Sequence, residues 1–190
     1  MDKDQPAVRD ATLADLWVFG YGSLMWRPGF EFLERAPAAL IGAHRSLCIY
    51  SFHHRGTNEN PGLVLGLDEG GACRGVAFRV AADKSDATLA YLREREQVTD
   101  VYVESFRPVS LLDGSARELE ALCYIVDRAH PQYAGRLALE KQAELVRSAA
   151  GRSGANIDYV LNTVRHLEEV GIHDVELTAL AQRLTDANTD

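Results

Sequence analysis

Glu96 stands where a carboxylate can carry proton chemistry. In the segment Ser85 to Gln97, the body Ala87-Thr88-Leu89-Ala90-Tyr91-Leu92 suits a helix, and Asp83 and Ser85 can cap its start. Leu89 and Leu92 define an inward stripe. Glu96 follows at i+7 and i+4 from them and projects onto the same face, whereas Glu94 lies off the stripe and belongs in solvent. Partial burial and the negative end of the helix dipole both disfavour the charged form. Together they lift Glu96 above an ordinary value of about 4.3, toward a range useful for moving protons. Arg95 opposes that lift if its side chain folds back. A helix that stops before Glu96 and leaves the carboxylate in water is the competing reading, and the pattern alone leaves it open.

Gly20-Tyr21-Gly22-Ser23-Leu24 is the second chemical candidate. Two glycines one residue apart allow a turn that aims successive N–H groups into one concavity, an anion or oxyanion site. The segment lacks the third glycine of a dinucleotide fingerprint and the Gly-Lys-Ser/Thr of a P-loop. Glycines in a plain tight turn explain it equally well. Ser23 sits outside any G-x-S-x-G context and has no aligned His and Asp, which makes it a turn hydroxyl or binding donor rather than a hydrolase nucleophile. The histidines His44, His53, His54, His130, His166 and His173 show neither H-x-x-x-H nor H-E-x-x-H spacing, so no metal and no cofactor is expected. Cys48, Cys73 and Cys123 are odd in number and form no C-x-x-C pair. They read as small buried hydrophobes rather than a disulfide framework or nucleophiles.

The elements that must hold these groups are legible in outline. Leu16-Trp17-Val18-Phe19 is a short buried strand feeding the glycine turn. Ser46 to Ser51 and Gly62 to Leu67 read as strands, and Arg74 to Val80 as a half-buried one with Val76, Phe78 and Val80 on one face. Between Phe52 and Pro61 runs a polar loop, His53-His54-Arg55-Gly56-Thr57-Asn58-Glu59-Asn60, with nothing apolar to hold it down and so a candidate for ligand contact. Tyr102 to Leu112 and Arg117 to Val126 flank Asp113-Gly114, a dipeptide suited to a tight hairpin turn.

The last third changes period. Leu139, Ala143, Val146 and Ala150 form one helical stripe stopped at Gly151. Ile157, Val160, Leu161, Val164 and Leu167 form a second, stopped at Gly171, and a third helix begins near Asp174 and uses Leu177, Leu180 and Leu184. Strands early and helices late point to an α+β fold with a mixed or antiparallel sheet, and its closure into a barrel is left open.

The chain of 190 residues fits one domain, 16–190, behind a loosely ordered leader over 1–15. Its net charge of −8 argues against nucleic-acid and anionic-membrane partners. No signal peptide or membrane-spanning run occurs, which points to a cytoplasmic protein. No obligate protein partner is implied.

Taken together, Val18-Phe19-Gly20-Tyr21-Gly22-Ser23-Leu24-Met25-Trp26 resembles the opening motif of the ChaC-type γ-glutamylcyclotransferases. The resemblance continues through His54-Arg55-Gly56, Pro61-Gly62, Gly75-Val76-Ala77-Phe78-Arg79 and Tyr91-Leu92 with Arg95-Glu96. It ends in Gly151-Arg152-Ser153-Gly154-Ala155-Asn156 with Tyr159. It covers about residues 16 to 185 in one register, far more specific than any single motif.

That resemblance implies a small barrel with flanking helices. It implies Glu96 as acid/base, the amides of Tyr21, Gly22, Ser23 and Leu24 as holders of the glutamyl end, and Tyr124, Asn156 and Tyr159 as pocket lining. Arg45, Arg55 and the 52–61 loop are candidates for reading the Gly carboxylate of glutathione. The substrate implied is glutathione or a related γ-glutamyl compound, cyclised to 5-oxoproline without metal. A cyclotransferase for other γ-glutamyl peptides or amines, and a non-catalytic binder on the same scaffold, are the alternatives. Some relatives place a glycine pair after the Arg-Glu. Here Gln97-Val98-Thr99-Asp100-Val101 leads to Tyr102, which looks more like the bacterial branch.

Overall fold

Two strands of unusual length carry the architecture: β2 (Glu34–Ser51) and β3 (Gly62–Val80), of 18 and 19 residues, where strands commonly run 3–10. They pair antiparallel along their length, with register irregularities between Ile41 and Ala43 and between Ser46 and Ile49. The 52–61 loop joins them. The computed structural model describes residues 14–96 and 99–186. Most of the expected leader, 1–13, and Gln97-Val98 lie outside the described residues. Asp15 is held by Arg79, at 2.9 Å, and by the Ala82 amide.

Strand β1 (Leu16–Gly20) pairs antiparallel with β3; β4 (Tyr102–Leu111) pairs with β2 and with β5 (Glu118–Val126). The order β1-β3-β2-β4-β5 closes into a barrel through a parallel contact of Val18 with Leu122, the closure that the sequence pattern left open. Two expectations change. The strand expected at Ser46 begins at Glu34, and the segments 62–67 and 74–80 are one strand. Asp68-Glu69-Gly70-Gly71 interrupts the apolar pattern, yet β2 pairs on either side of the glycines, Ala43 with Glu69 and Ile41 with Ala72, and carries the strand across. Val76, Ala77, Phe78 and Val80 are all buried because β3 is covered on both faces, so its second half is not half-buried. Asp113-Gly114 does lie between β4 and β5, with Gly114 at φ 87°, in a connection longer than a tight two-residue turn.

Helix α1 (Ser85–Glu96) follows β3 through a short 3₁₀ turn, and its Leu92 is fully buried in a cluster with Leu16, Val18, Val80, Leu122 and Tyr124. Helices α2 (Leu139–Ser148), α3 (Asn156–Glu169) and α4 (Val175–Asp186) pack Ala143, Val146, Val160, Leu167, Leu177, Leu180 and Leu184 into the main core with the barrel. Leu139 is exposed, at the first turn of α2, and that helix ends at Ser148 rather than at Gly151. Ala149 turns extended, at φ −92° and ψ 136°, and the chain enters a two-residue ribbon, β6 (Ala150–Gly151) with β7 (Gly154–Ala155). Gly171 does close α3: at φ 73° its amide donates to Glu168 O, a geometry that costs glycine little. Asp174 caps α4, its Oδ1 accepting the Leu177 amide at 3.1 Å. No helix among the described residues is long and apolar enough to cross a membrane.

Candidate active site

The buried strand β1 delivers the chain to the turn at Tyr21–Leu24, which tightens into a 3₁₀ helix over Ser23–Met25. The turn's carbonyls are used internally: Met25 N–H donates to Gly22 O, and Arg27 N–H to Ser23 O. The amides of Gly22, Ser23 and Leu24 precede the first such donor and have no acceptor among the described residues. Beneath the turn lies Arg45, whose side chain is only 4% exposed. Its Nε donates to Tyr21 O at 2.6 Å, its Nη2 to Arg74 O at 2.7 Å, and its Nη1 pairs with Asp174 at 3.1 Å. Arg45 thus fastens the turn to β3 and to the start of α4.

Glu96 faces the turn across a cleft of about 440 Å³ lined by Tyr21, Gly22, Ser23, Leu24, Val64, Leu65, Tyr102, Tyr124 and Tyr159 as well as Glu96 itself. The helix does reach Glu96, its last residue, so the reading that left this carboxylate in water fails. Its side chain is 18% exposed. Burial pushes its pKa above the ordinary value, while Arg95, with Nε 3.0 Å from Glu96 Oε1, pulls it back. The same guanidinium donates to Ser23 Oγ at 2.8 Å, to Arg27 O at 2.6 Å and to the Tyr91 hydroxyl at 3.1 Å. Arg95 therefore ties the carboxylate and the amide turn into one unit. The sequence reading saw its charge but not this link.

Four tyrosines complete the wall. Tyr102 donates to Leu65 O at 2.7 Å, Tyr21 hydrogen-bonds the Tyr102 hydroxyl, and Tyr124 donates to Glu104 at 3.1 Å. The Tyr159 hydroxyl accepts the Leu65 amide at 3.1 Å. Burial drives all four phenols upward, Tyr159 to about 12, so they are neutral hydrogen-bonding groups at physiological pH. Tyr102, Val64 and Leu65 were not anticipated. Tyr102 was in view only as the start of a strand, and nothing local distinguishes its inward face.

The other sequence candidates are distributed differently. Asn156 is fully buried; its Oδ1 accepts the Leu63 amide at 2.7 Å and its Nδ2 donates to Leu63 O at 2.8 Å. It imitates a neighbouring strand and stands outside the cleft lining, as does Arg45. Arg55 lies over the Tyr159 ring at 5.2 Å, donates to Ser153 O, and lines an adjoining groove. Ser23 Oγ is partnered by Arg95, with no histidine relay. All three cysteines are buried and their thiol pKa values raised, Cys48 and Cys123 to about 12.

The polar 52–61 loop is ordered by the β6–β7 ribbon. Arg152 N–H donates to His53 O at 2.9 Å, Ser153 N–H to His54 O at 3.0 Å, and Asn60 Nδ2 to Ser148 O. Gly56 is required here: a Cβ would lie 2.1 Å from Gly62 N and 2.5 Å from Ser51 O. Two grooves adjoin the Glu96 cleft along Val64. One, of about 1010 Å³, contains Glu96, Arg95, Tyr50, Phe52, His53, His54 and Arg152; the other, of about 940 Å³, contains Ser23, Trp26, Arg27, Arg55, Tyr159 and Arg165.

Against known proteins, residues 16–187 match the family model described as ChaC-like protein. The chain is 36% identical over 165 residues to the glutathione-specific gamma-glutamylcyclotransferase of Escherichia coli (strain K12), covering 87% of this chain and 71% of that protein. It is 32% identical to glutathione-specific gamma-glutamylcyclotransferase 1 of Homo sapiens, covering 82% and 71%. A crystal structure of a gamma-glutamyl cyclotransferase specific to glutathione from yeast superposes with a TM-score of 0.81 at 23% identity, over 91% of this chain and 96% of that one, which establishes the shared fold. By the extent of the family match and the identity to its curated relatives, this chain belongs to the ChaC-like family.

Proposed function

We propose that this protein is a γ-glutamylcyclotransferase that cleaves glutathione to 5-oxoproline and Cys-Gly, with Glu96 as its acid/base. The observation that carries this reading is the placement of a largely buried carboxylate opposite three unclaimed backbone amides, in a cleft walled by four neutral phenols with Val64 and Leu65. The identity to relatives named for glutathione supports the substrate. The net charge of −8, and the lack among the described residues of a helix long and apolar enough to cross a membrane, fit a cytoplasmic enzyme acting on a small molecule.

The α-amine of a γ-glutamyl amide attacks its own γ-carbonyl and closes a five-membered ring. Glu96, as carboxylate, takes the amine's proton. The carbonyl oxygen becomes an oxyanion, and amides of the Gly22–Leu24 turn are the donors available to it. Protonated Glu96 then gives its proton to the leaving nitrogen as the C–N bond breaks. The remaining amides and the Tyr159 hydroxyl, whose proton has no acceptor among the described residues, hold the glutamyl carboxylate, and holding the chain folded for ring closure is the entropic part of catalysis.

Incubation with glutathione, with 5-oxoproline and Cys-Gly quantified, tests this directly. Glu96→Gln is expected to lower turnover by about 10²–10⁴-fold while the protein stays folded by circular dichroism. Turnover retained in that variant removes Glu96 from its role.

A further inference from the structure

Of the two grooves beside the cleft, only one shares Glu96. Resting on the cyclotransferase reading, this fixes the path of the departing amine. Glu96 meets both the attacking and the leaving nitrogen; because the amide turn holds the glutamyl end, the rest of the amine runs into the groove that contains Glu96 and none of the turn residues. The other groove meets the cleft at Ser23, Val64 and Tyr159, on the amide-turn side, and His54 lines both grooves.

The walls of the Glu96 groove match a short peptide ending in a carboxylate. Tyr50 and Phe52 stack at 6.2 Å along an apolar side. At the rim, the Arg152 backbone is fixed by its amide bond to His53 O, and its Nη2 lies 3.5 Å from His54 Nε2. His54 is braced in turn by Ser153 Oγ at 3.0 Å. Burial and the neighbouring Arg152 hold the His54 ring below its ordinary pKa, so it accompanies the guanidinium as a neutral partner at physiological pH. Among the described residues ten arginines pair with a carboxylate and Arg152 does not.

We propose that Arg152, oriented by His54, receives the terminal carboxylate of the leaving amine, so that the enzyme selects γ-glutamyl peptides with a free C-terminal carboxylate over γ-glutamyl amines without one. The planar guanidinium presents paired donors that match a carboxylate in two-point geometry. The site joins two sequence motifs about a hundred positions apart, the His53-His54 loop and Gly151–Asn156, and gives their interlock a purpose.

The test compares kcat/KM for glutathione and for its glycine-amide analogue, in wild type and in the variants Arg152→Gln, Arg152→Lys and Arg165→Gln. Wild type is expected to prefer glutathione by about tenfold or more, the scale of a charge-assisted hydrogen bond. Arg152→Gln erases the preference by raising KM for glutathione alone, and its unchanged rate on the amide analogue shows that the fold and Glu96 are intact. Arg152→Lys keeps part of the preference, and Arg165→Gln, in the other groove, keeps all of it. Equal use of both substrates by wild type, or a preference undiminished in Arg152→Gln, overturns the assignment. Loss of preference in Arg165→Gln instead places the amine in the other groove and overturns it equally. Turnover of neither substrate by wild type defeats the cyclotransferase reading itself, and this inference with it.

Discussion

The two sides of the cleft are built on opposite terms. On the reaction side, the Tyr21–Leu24 turn rests on a buried arginine and is laced to the Glu96 helix by a second one. On the leaving side, the 52–61 loop hangs from a two-residue ribbon by hydrogen bonds that are mostly exposed to solvent. The difference follows the demands of each side. Amides that stabilise a developing oxyanion must hold still to be of use, because preorganisation avoids reorganisation in the transition state. A wall that admits a peptide and later releases a dipeptide gains from ties that open at small cost.

Removing the buried support is the severest challenge to this contrast. In Arg45→Met the Asp174 carboxylate, 16% exposed, loses its cation and the Tyr21 and Arg74 carbonyls lose their donors. Breaking a buried pair in this way costs about 3–5 kcal/mol. A clear drop in the urea midpoint, together with a fall in kcat in whatever fraction remains folded, is expected. A variant of unchanged stability would show that the turn does not depend on this arginine.

Arg45 also marks the limit of what the sequence disclosed. Its partners Tyr21, Arg74 and Asp174 lie 24, 29 and 129 positions away, and no local pattern joins them. It was read as a possible carboxylate reader because an arginine's charge is visible in a sequence and its burial is not. Asn156 failed in the same way: a polar residue in a family motif resembles a ligand contact, yet its amide is spent on Leu63, 93 positions distant. Glu96 was singled out by the resemblance carried by Tyr91-Leu92 and Arg95-Glu96, because the period of Leu89 and Leu92 alone left its exposure open. The barrel strands were partly legible. The acidic and glycine run at Asp68–Gly71 hid the continuity of β3, which pairing across to β2 supplies.

Arg95 tests whether the reaction side is one unit. Its cation opposes the effect of burial on Glu96, so Arg95→Gln raises the Glu96 pKa further. General-base action needs the carboxylate, and the acid limb of the kcat/KM profile therefore moves to higher pH. Arg95→Lys retains a charge but loses the fork that reaches Ser23 Oγ and Arg27 O. It is expected to leave the limb nearly in place and to lower kcat. The sign for stability agrees: a carboxyl raised above its unfolded value costs stability fully above its folded pKa, and that cost is relieved as pH falls toward the unfolded value. An acid limb that stays fixed in Arg95→Gln separates the carboxylate from the turn.

The leaving side yields the smallest effect, and the contrast depends on its being small. Asn60 donates to Ser148 O, and Ser148 Oγ donates back to Asn60 Oδ1 at 3.1 Å, both at the surface. Water replaces exposed hydrogen bonds readily, so Asn60→Ala is expected to cost about 0.5 kcal/mol or less. Its effect should appear in KM for glutathione, through a looser loop beside His53 and His54, with kcat preserved because Glu96 and the amide turn are untouched. Thermal denaturation and steady-state kinetics on the one variant decide the matter. A loss of stability approaching that of Arg45→Met would mean that both walls are equally rigid, and the loop would then bear on the fold rather than on the passage of the substrate.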